Sequence, residues 1–204
     1  MSSATSKAIA GTRKFSEPSP YGASWQKAMM WIFIVTDGLT FAGLLAGYGF
    51  ARVATSAWPD QTLAFDLNLI GLMTFVLISS SATMASAVGA AAEGSSRRTT
   101  RLLLLTVLGG LVFLSMQAFE WSHFIAAGGR LDSNPWGVPQ FGGYFFLITG
   151  FHGTHVLIGV LILMITTLRF RGGKSSAAGV ELAGLYWHFV DLVWVFVFSF
   201  FYLV

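Results

Sequence analysis

The sequence predicts an all-α membrane protein that crosses the bilayer with five helices. Its composition supports this fold class, since 54% of the residues are hydrophobic and only 10% are charged. Soluble domains carry roughly 25% charged residues, and the mean hydropathy of +0.68 agrees with a membrane protein. The apolar residues also fall into five long runs separated by polar segments. Each run must be helical, because lipid offers no partner for open backbone groups.

The chain begins with a polar segment that has no apolar core of the signal-peptide kind. We expect residues 1–26 to form a tail on the cytoplasmic side, followed by one membrane domain over residues 27–204. Every predicted span exceeds the roughly 20 residues of helix needed to cross a hydrocarbon core about 30 Å thick. In chain order the predicted spans are 27–53, 66–92, 101–126, 141–168 and 181–204.

The basic residues predict the orientation of the spans. Of the twelve Lys and Arg residues, all but Arg52 and Arg130 precede the first span or lie between spans two and three or spans four and five. Cytoplasmic loops of membrane proteins carry an excess of Lys and Arg. We therefore expect the N-terminus inside and the C-terminus outside.

Small residues recur at four-residue spacing in the first two spans. Gly43 and Gly47 form a G-x-x-x-G arrangement, and Ser81, Ala85 and Gly89 repeat the spacing. Such positions let helices approach closely, and packing within the bundle is the expected role. The segments outside the spans are too small to hold a soluble active site, so function must lie in the membrane or at a partner surface.

Ionisable residues inside the spans are the candidate functional residues, because a charge at mid-bilayer costs at least about 2.5 kcal/mol. Spacings of three residues place His152 with His155, and His188 with Asp191, on shared helix faces. We expect a polar layer across the bundle made by His152, His155, Glu181, His188 and Asp191, and two intramembrane acids, Asp37 and Glu120.

Three roles for these residues stay open on the sequence alone. Hydrogen bonds between helices are the simplest role. A metal or haem site is less favoured, because the chain has no cysteine and its paired histidines lack the i, i+4 spacing usual for helical zinc sites. Proton handling or lipid head-group binding is the third role. Asp37 fits it best, since a lone acid on an apolar helix is neutral for part of the time.

Several motifs resemble subunit III of haem–copper terminal oxidases, the family that includes cytochrome c oxidase. They are "IVTDGLTFAGLLAGY", "MQAFEW", "FHGTHVLIG" and "ELAGLYWHFVDLVWVFVFSFFYLV". The resemblance covers about residue 25 to the C-terminus. The chain departs from the family pattern in two ways. The long form of the family has seven helices, so this chain is similar to the bacterial five-helix form. Asp37 also stands where the family usually has Glu.

The resemblance implies a non-catalytic subunit of the bacterial plasma membrane, without haem, copper or another metal of its own. Haem and copper would lie in the partner subunits, chiefly subunit I, with subunit II also in the complex. The family is thought to support proton uptake by subunit I and to hold phospholipid in a cleft. Arg169 matches the family arginine that meets a lipid phosphate, although a basic residue there also suits a role in topology.

Other functions remain as alternatives. The chain could be an accessory subunit of a quinol oxidase or of a nitric oxide reductase. A stand-alone transporter is disfavoured, because span two has no ionisable residue between Asp66 and Glu93. The sequence leaves the electron donor, cytochrome c or quinol, open.

Overall fold

The computed structural model describes residues 24–203 and confirms the all-α fold class. Five helices in this range are long and apolar enough to cross a membrane. The described residues form six α-helices and a closing π-helical turn, without a strand. In chain order these are α1 (Trp25–Ala54), α2 (Gln61–Ala64), α3 (Leu67–Ala92), α4 (Ser96–Ala126), α5 (Pro139–Arg171), α6 (Ala177–Val197) and the π-helical turn (Phe198–Leu203).

The helix boundaries differ from the predicted spans mainly at polar ends. Helix α4 begins at Ser96 rather than at residue 101, and α5 continues to Arg171 rather than ending at 168. Long basic side chains can reach the head-group layer while their backbone stays helical, so hydropathy alone underestimates these helices. The predicted tail lies outside the described residues except for residues 24–26, of which Trp25 and Gln26 already belong to α1.

The short helix α2 was not predicted, and Asp60 explains its formation. The Asp60 carboxylate caps the helix by accepting hydrogen bonds from the Thr62 backbone N–H at 2.9 Å and the Thr62 hydroxyl at 2.8 Å. Both bonds favour the ionised form. They therefore lower the pKa of the Asp60 carboxyl from its ordinary value.

Helices α3, α4, α5 and α6 form the core of the bundle. Helix α3 packs along α4, α4 along α5, and α6 lies against both α3 and α5. Helix α1 stands at the edge of this group and contacts α6 and α5. We call the end of the bundle near the α3–α4 and α5–α6 loops the inner end, following the predicted orientation, which remains a prediction.

Trp187 of α6 fixes the centre of the core. Its indole N–H donates to Ser80 Oγ of α3 at 3.1 Å. Its ring also lies against two glycines, Gly110 of α4 and Gly159 of α5. A methyl group added at Gly159 would come within 2.9 Å of the ring. These glycines therefore provide the space that lets α4 and α5 approach α6.

An aromatic cluster closes the outer end. Phe124 packs on Phe145 with ring centres 4.3 Å apart, and Phe65 stacks on Phe124 at 5.5 Å. The π-helical turn, which contains Phe201, is linked to α1 through Gln61 of α2. The Gln61 amide donates to the hydroxyl of Tyr48 on α1 at 2.9 Å and to the Phe201 carbonyl oxygen at 3.2 Å. Aromatic pairs such as Phe124 with Phe145 stabilise the fold by about 0.5–1.5 kcal/mol each, in addition to the free energy gained by burying their surface.

The small residues of the two four-residue repeats do not all pack inside the bundle. Gly43, Ala85 and Gly89 are exposed, and no side chain lies within 4 Å of a methyl group added at Gly43 or Gly89. Gly47 does make a close contact, since its carbonyl accepts a hydrogen bond from the Tyr144 hydroxyl at 3.0 Å. The expectation of packing within the bundle was therefore wrong for most of these positions, because four-residue spacing does not say which way a helix face points.

Candidate functional site

Asp37 of α1 and His155 of α5 meet in the contact between α1 and the core. His155 Nε2 lies 3.2 Å from Asp37 Oδ2, and the two side chains are only 11% and 13% exposed. The contact has the distance of an ion pair but not the geometry of a hydrogen bond. Phe41, one turn after Asp37, packs on the His155 ring with centres 5.3 Å apart. The acid and the imidazole are therefore enclosed by apolar side chains.

The surroundings of His155 determine where its protons can be. Nδ1 lies 2.8 Å from the Phe151 carbonyl oxygen, and a carbonyl can only accept, so Nδ1 carries a hydrogen. One further proton can then reside on His155 Nε2 or on Asp37. Both arrangements leave the pair without net charge, which is the form that a low-dielectric interior tolerates.

Helix α6 completes this site through Tyr186. The Tyr186 hydroxyl donates to the His155 backbone carbonyl at 3.2 Å, and its ring stacks on Phe33 of α1 at 6.0 Å. Three helices therefore hold the Asp37–His155 pair. No sequence pattern indicated the part that Tyr186 takes.

A second polar cluster lies where α6 meets α3. His188 Nδ1 is 2.6 Å from Ser81 Oγ, and Asp191 lies beside both residues. Asp191 Oδ1 is buried and makes no hydrogen bond. His188 and Asp191 are nevertheless partly exposed at the surface of the bundle. They border the interior and do not point to its centre.

Glu120 is buried in the outer half of the core. It is 4% exposed, and neither carboxyl oxygen makes a hydrogen bond. The Tyr202 hydroxyl of the π-helical turn is also buried and lies beside the carboxyl group, close enough to interact with it. One turn away, the Gln117 amide donates to the Thr149 carbonyl at 2.6 Å. Glu120 is therefore an enclosed acid, in contrast to the paired Asp37.

The other candidate residues occupy separate places. His152 is fully buried between Phe113 and Trp194, and neither ring nitrogen has a partner. Glu181 forms an ion pair with Lys27 of α1 at 2.5 Å near the inner end. Arg169 is exposed in the last turn of α5.

The structure thus divides the predicted polar layer into separate contacts. It brings Asp37 together with His155, His188 with Asp191, and Glu181 with Lys27. Within residues 24–203, no group of three or more His, Cys, Asp or Glu side chains is arranged to hold a metal ion. The sequence did not reveal the roles of Ser81, Lys27 and Tyr202, because hydroxyl and lysine side chains at helix ends or in small-residue runs give no signal of a distant partner.

The fold and the candidate site define a class of protein: a multi-pass helical membrane protein whose ionisable residues lie between its spans. The family model described as cytochrome c oxidase subunit III matches residues 23–204. The chain therefore belongs to the cytochrome c oxidase subunit III family, and the resemblance inferred from the motifs is confirmed.

Relatives in several bacteria agree with this family. The chain is 33% identical over 177 residues to the probable cytochrome c oxidase subunit 3 of Nocardia farcinica, covering 85% of each chain. It is 34% identical to cytochrome c oxidase subunit 3 of Synechocystis, covering 84% of this chain and 72% of the relative. It is also 34% identical to quinol oxidase subunit 3 of Bacillus spizizenii, covering 83% and 82%. The chain is thus similar to third subunits of both cytochrome c and quinol oxidases.

Proposed function

We propose that this chain is the non-catalytic subunit III of a bacterial respiratory haem–copper oxygen reductase of the cytochrome c oxidase type. In this proposal, subunits I and II contain the haem and copper that reduce oxygen to water, and subunit I is the main contact. The chain stabilises the complex and its bound lipids and supports proton uptake by subunit I. It lies in the plasma membrane with its N-terminus inside, as the distribution of basic residues favours.

The Asp37–His155 contact carries the proton-linked part of this proposal. Asp37 and His155 form an enclosed pair 3.2 Å apart, so a small movement would align them in a hydrogen bond along which one proton could pass without changing their total charge. The pair lies between α1 and α5, and α1 is the membrane-spanning helix that has the least contact with the core. A small shift of α1 would change the separation of the pair and hence the position of the proton.

The cluster of His188 and Asp191 supports a partner subunit. Both residues lie near the middle of the span Ala177–Leu203 and remain partly exposed at the surface. Ionisable groups at that depth are costly when they face lipid. A transmembrane segment that covers them and donates a hydrogen bond to Asp191 would remove this cost. A subunit of a larger complex meets this requirement, whereas an isolated chain does not.

Lipid binding has support from a groove between α1 and α6. The groove has a volume of about 530 Å³ and is lined by apolar or small side chains, among them Gly38, Ala42, Ala46 and Phe196. Its volume and apolar lining suit an acyl chain. We also propose that exposed Arg169 contacts a lipid phosphate at the inner end, where a guanidinium can form paired hydrogen bonds with phosphate oxygens.

A quinol oxidase is the alternative with specific support, since the relative from Bacillus spizizenii has that name. The same chain would then serve a complex with a different electron donor. An accessory role in a nitric oxide reductase has no comparable support. A stand-alone transporter would need polar groups across both leaflets, and span α3 contains no ionisable residue.

The decisive experiment compares Asp37→Asn with Asp37→Glu in the purified complex. We expect the Asn variant to assemble with normal haem spectra but to take up protons more slowly and to lose activity sooner during sustained turnover. The Glu variant keeps the titratable group and should behave like the wild type. Equal behaviour of all three through many turnovers would reduce Asp37 to a packing residue.

Co-purification tests the subunit assignment itself. In mild detergent, subunits containing haem and copper should accompany the chain, and the separated chain should lack Soret absorbance. A haem spectrum from the separated chain would contradict the non-catalytic role.

A further inference from the structure

A basic groove lies at the inner end between α4 and α5. It has a volume of about 520 Å³ and is lined by Ser96, Arg97, Thr100, Arg101, Leu104 and Arg171. Three of the six lining residues are arginines, and none is acidic. The groove is separate from Arg169, which lies two residues before Arg171 and therefore points to another side of α5, about 200° away around the helix.

The start of α4 adds to the positive potential of this groove. Ser95, at the N-cap position, makes no side-chain capping bond, and the first turn contains no acidic residue. The N-terminus of a helix carries a partial positive charge and free backbone N–H groups. An arginine in the first turn is therefore slightly unfavourable unless an anion lies nearby. Arg97 is in that turn, where a bound anion would compensate both the helix dipole and its charge, and Arg101 follows one turn later.

The three arginines have no acidic partner among the described residues. The nearby ion pair of this loop, between Arg98 and Glu93 at 3.5 Å, uses a neighbouring arginine that does not line the groove. Arg97, Arg101 and Arg171 form no ion pair within residues 24–203. Their guanidinium groups thus remain available to a ligand.

An apolar surface continues from the groove towards the middle of the membrane. On α4 it begins at Leu104, which is 49% exposed, and extends to Leu108 at 56%. On α5 it includes Leu168 and Leu161, which are 65% and 50% exposed. A ligand that fits both parts has an anionic head at the arginines and acyl chains along these leucines.

We propose that this groove binds an anionic phospholipid of the inner leaflet, with its phosphate held by Arg97, Arg101 and Arg171. Guanidinium groups bind phosphate oxygens in pairs, and basic pockets between membrane helices suit anionic head groups. The Leu104 side of the groove receives the first part of an acyl chain. Free phosphate shares the head-group chemistry but would gain nothing from the apolar surface.

The test uses the purified complex that contains the full chain, with the triple variant Arg97→Gln, Arg101→Gln, Arg171→Gln. The matched control is Arg98→Gln, which removes a positive charge from the same loop but leaves the groove intact. The triple variant still has seven Lys and Arg residues on the predicted inner side against two outside, since three of the ten are removed. The predicted orientation is therefore preserved.

Two measurements give the outcome. Mass spectrometry of retained lipid should show several-fold less phosphatidylglycerol or cardiolipin in the triple variant, and no loss in Arg98→Gln. After delipidation, phosphatidylglycerol should raise the thermal stability of the wild type more than phosphatidylcholine does, and the triple variant should lose this preference. Equal retention of anionic lipid by the wild type and the triple variant would overturn the proposal. Stabilisation by inorganic phosphate equal to that by phosphatidylglycerol would overturn the lipid as the ligand.

Discussion

Helix α1 and the final span cross the same bilayer but have different relations to the core. In the most apolar stretch of α1 only 6% of the residues are buried within the chain, whereas the corresponding share of the final span is 50%. Helix α6 contacts α3, α5 and α1, and it carries Trp187 at the centre of the bundle. The final span is therefore the scaffold, and α1 is an attached helix.

This difference places the two enclosed acids in unlike surroundings. Asp37 belongs to the attached helix and has His155 as a partner. Glu120 lies in the core beside the π-helical turn and has no hydrogen bond. A titratable pair can respond to movement only where the structure can move, and the contact of α1 is the weaker one. Burial alone therefore does not separate Asp37, which we propose to respond to movement, from Glu120, which is held in the core.

The largest effect should come from crowding the scaffold. Gly110→Val would place methyl groups in the space that the Trp187 ring and Val160 already fill. Overpacking of this kind typically costs about 1–3 kcal/mol, and the rigid indole puts this site at the upper end. Thermal unfolding in detergent measures this loss of stability. Gly89→Ala is the control, because nothing lies within 4 Å of the added methyl group. Equal stability of both variants would show that α6 is not the scaffold.

An intermediate effect of opposite sign is expected at Glu120. A buried polar group without a partner costs about 1–3 kcal/mol, so Glu120→Leu combined with Tyr202→Phe, which removes both neighbouring polar groups, should raise the melting temperature of the chain. Glu120→Gln has nearly the same shape but stays polar, and should give no such gain. A loss of stability in the double variant would reveal a bonding partner for Glu120 and would make it resemble Asp37.

The smallest effect should arise where α1 is joined to α6 at the inner end. The Lys27 and Glu181 side chains are 37% and 42% exposed, so water screens their attraction, and the pair should contribute less than about 1 kcal/mol. Lys27→Met should increase hydrogen exchange in the first turns of α1 without changing exchange in α6. A double-mutant cycle with Glu181→Gln isolates the pair. A coupling free energy well above about 1 kcal/mol would mean that α1 is more firmly attached than its burial indicates.

The sequence predicted the fold well because lipid leaves few solutions. Five apolar runs required five helices, and their positions agree with the observed spans apart from the starts of α4 and α6 and the end of α5. The short helix α2 was missed because its signal is local, a single capping aspartate at Asp60.

The candidate site was less predictable, because contacts between helices depend on how each helix is rotated. Spacing correctly grouped His188 with Asp191 on one face, but it could not say that Ser81 would be their neighbour. It could not indicate that Asp37 would meet His155 rather than another histidine. It also left open that Ala85 and Gly89 would face outwards. These facts depend on the tertiary arrangement and have no counterpart in a single helix.

The position of Trp187 has a consequence for mutational coupling. One side chain contacts Ser80 of α3, Gly110 of α4 and Gly159 of α5, so these four positions share a single volume. Substitutions that share a neighbour are not additive. Trimming the indole should therefore make an added methyl at Gly110 or Gly159 tolerable, although each change alone is harmful. The four positions should accept changes only in compatible combinations, as a unit of epistasis spread over four helices.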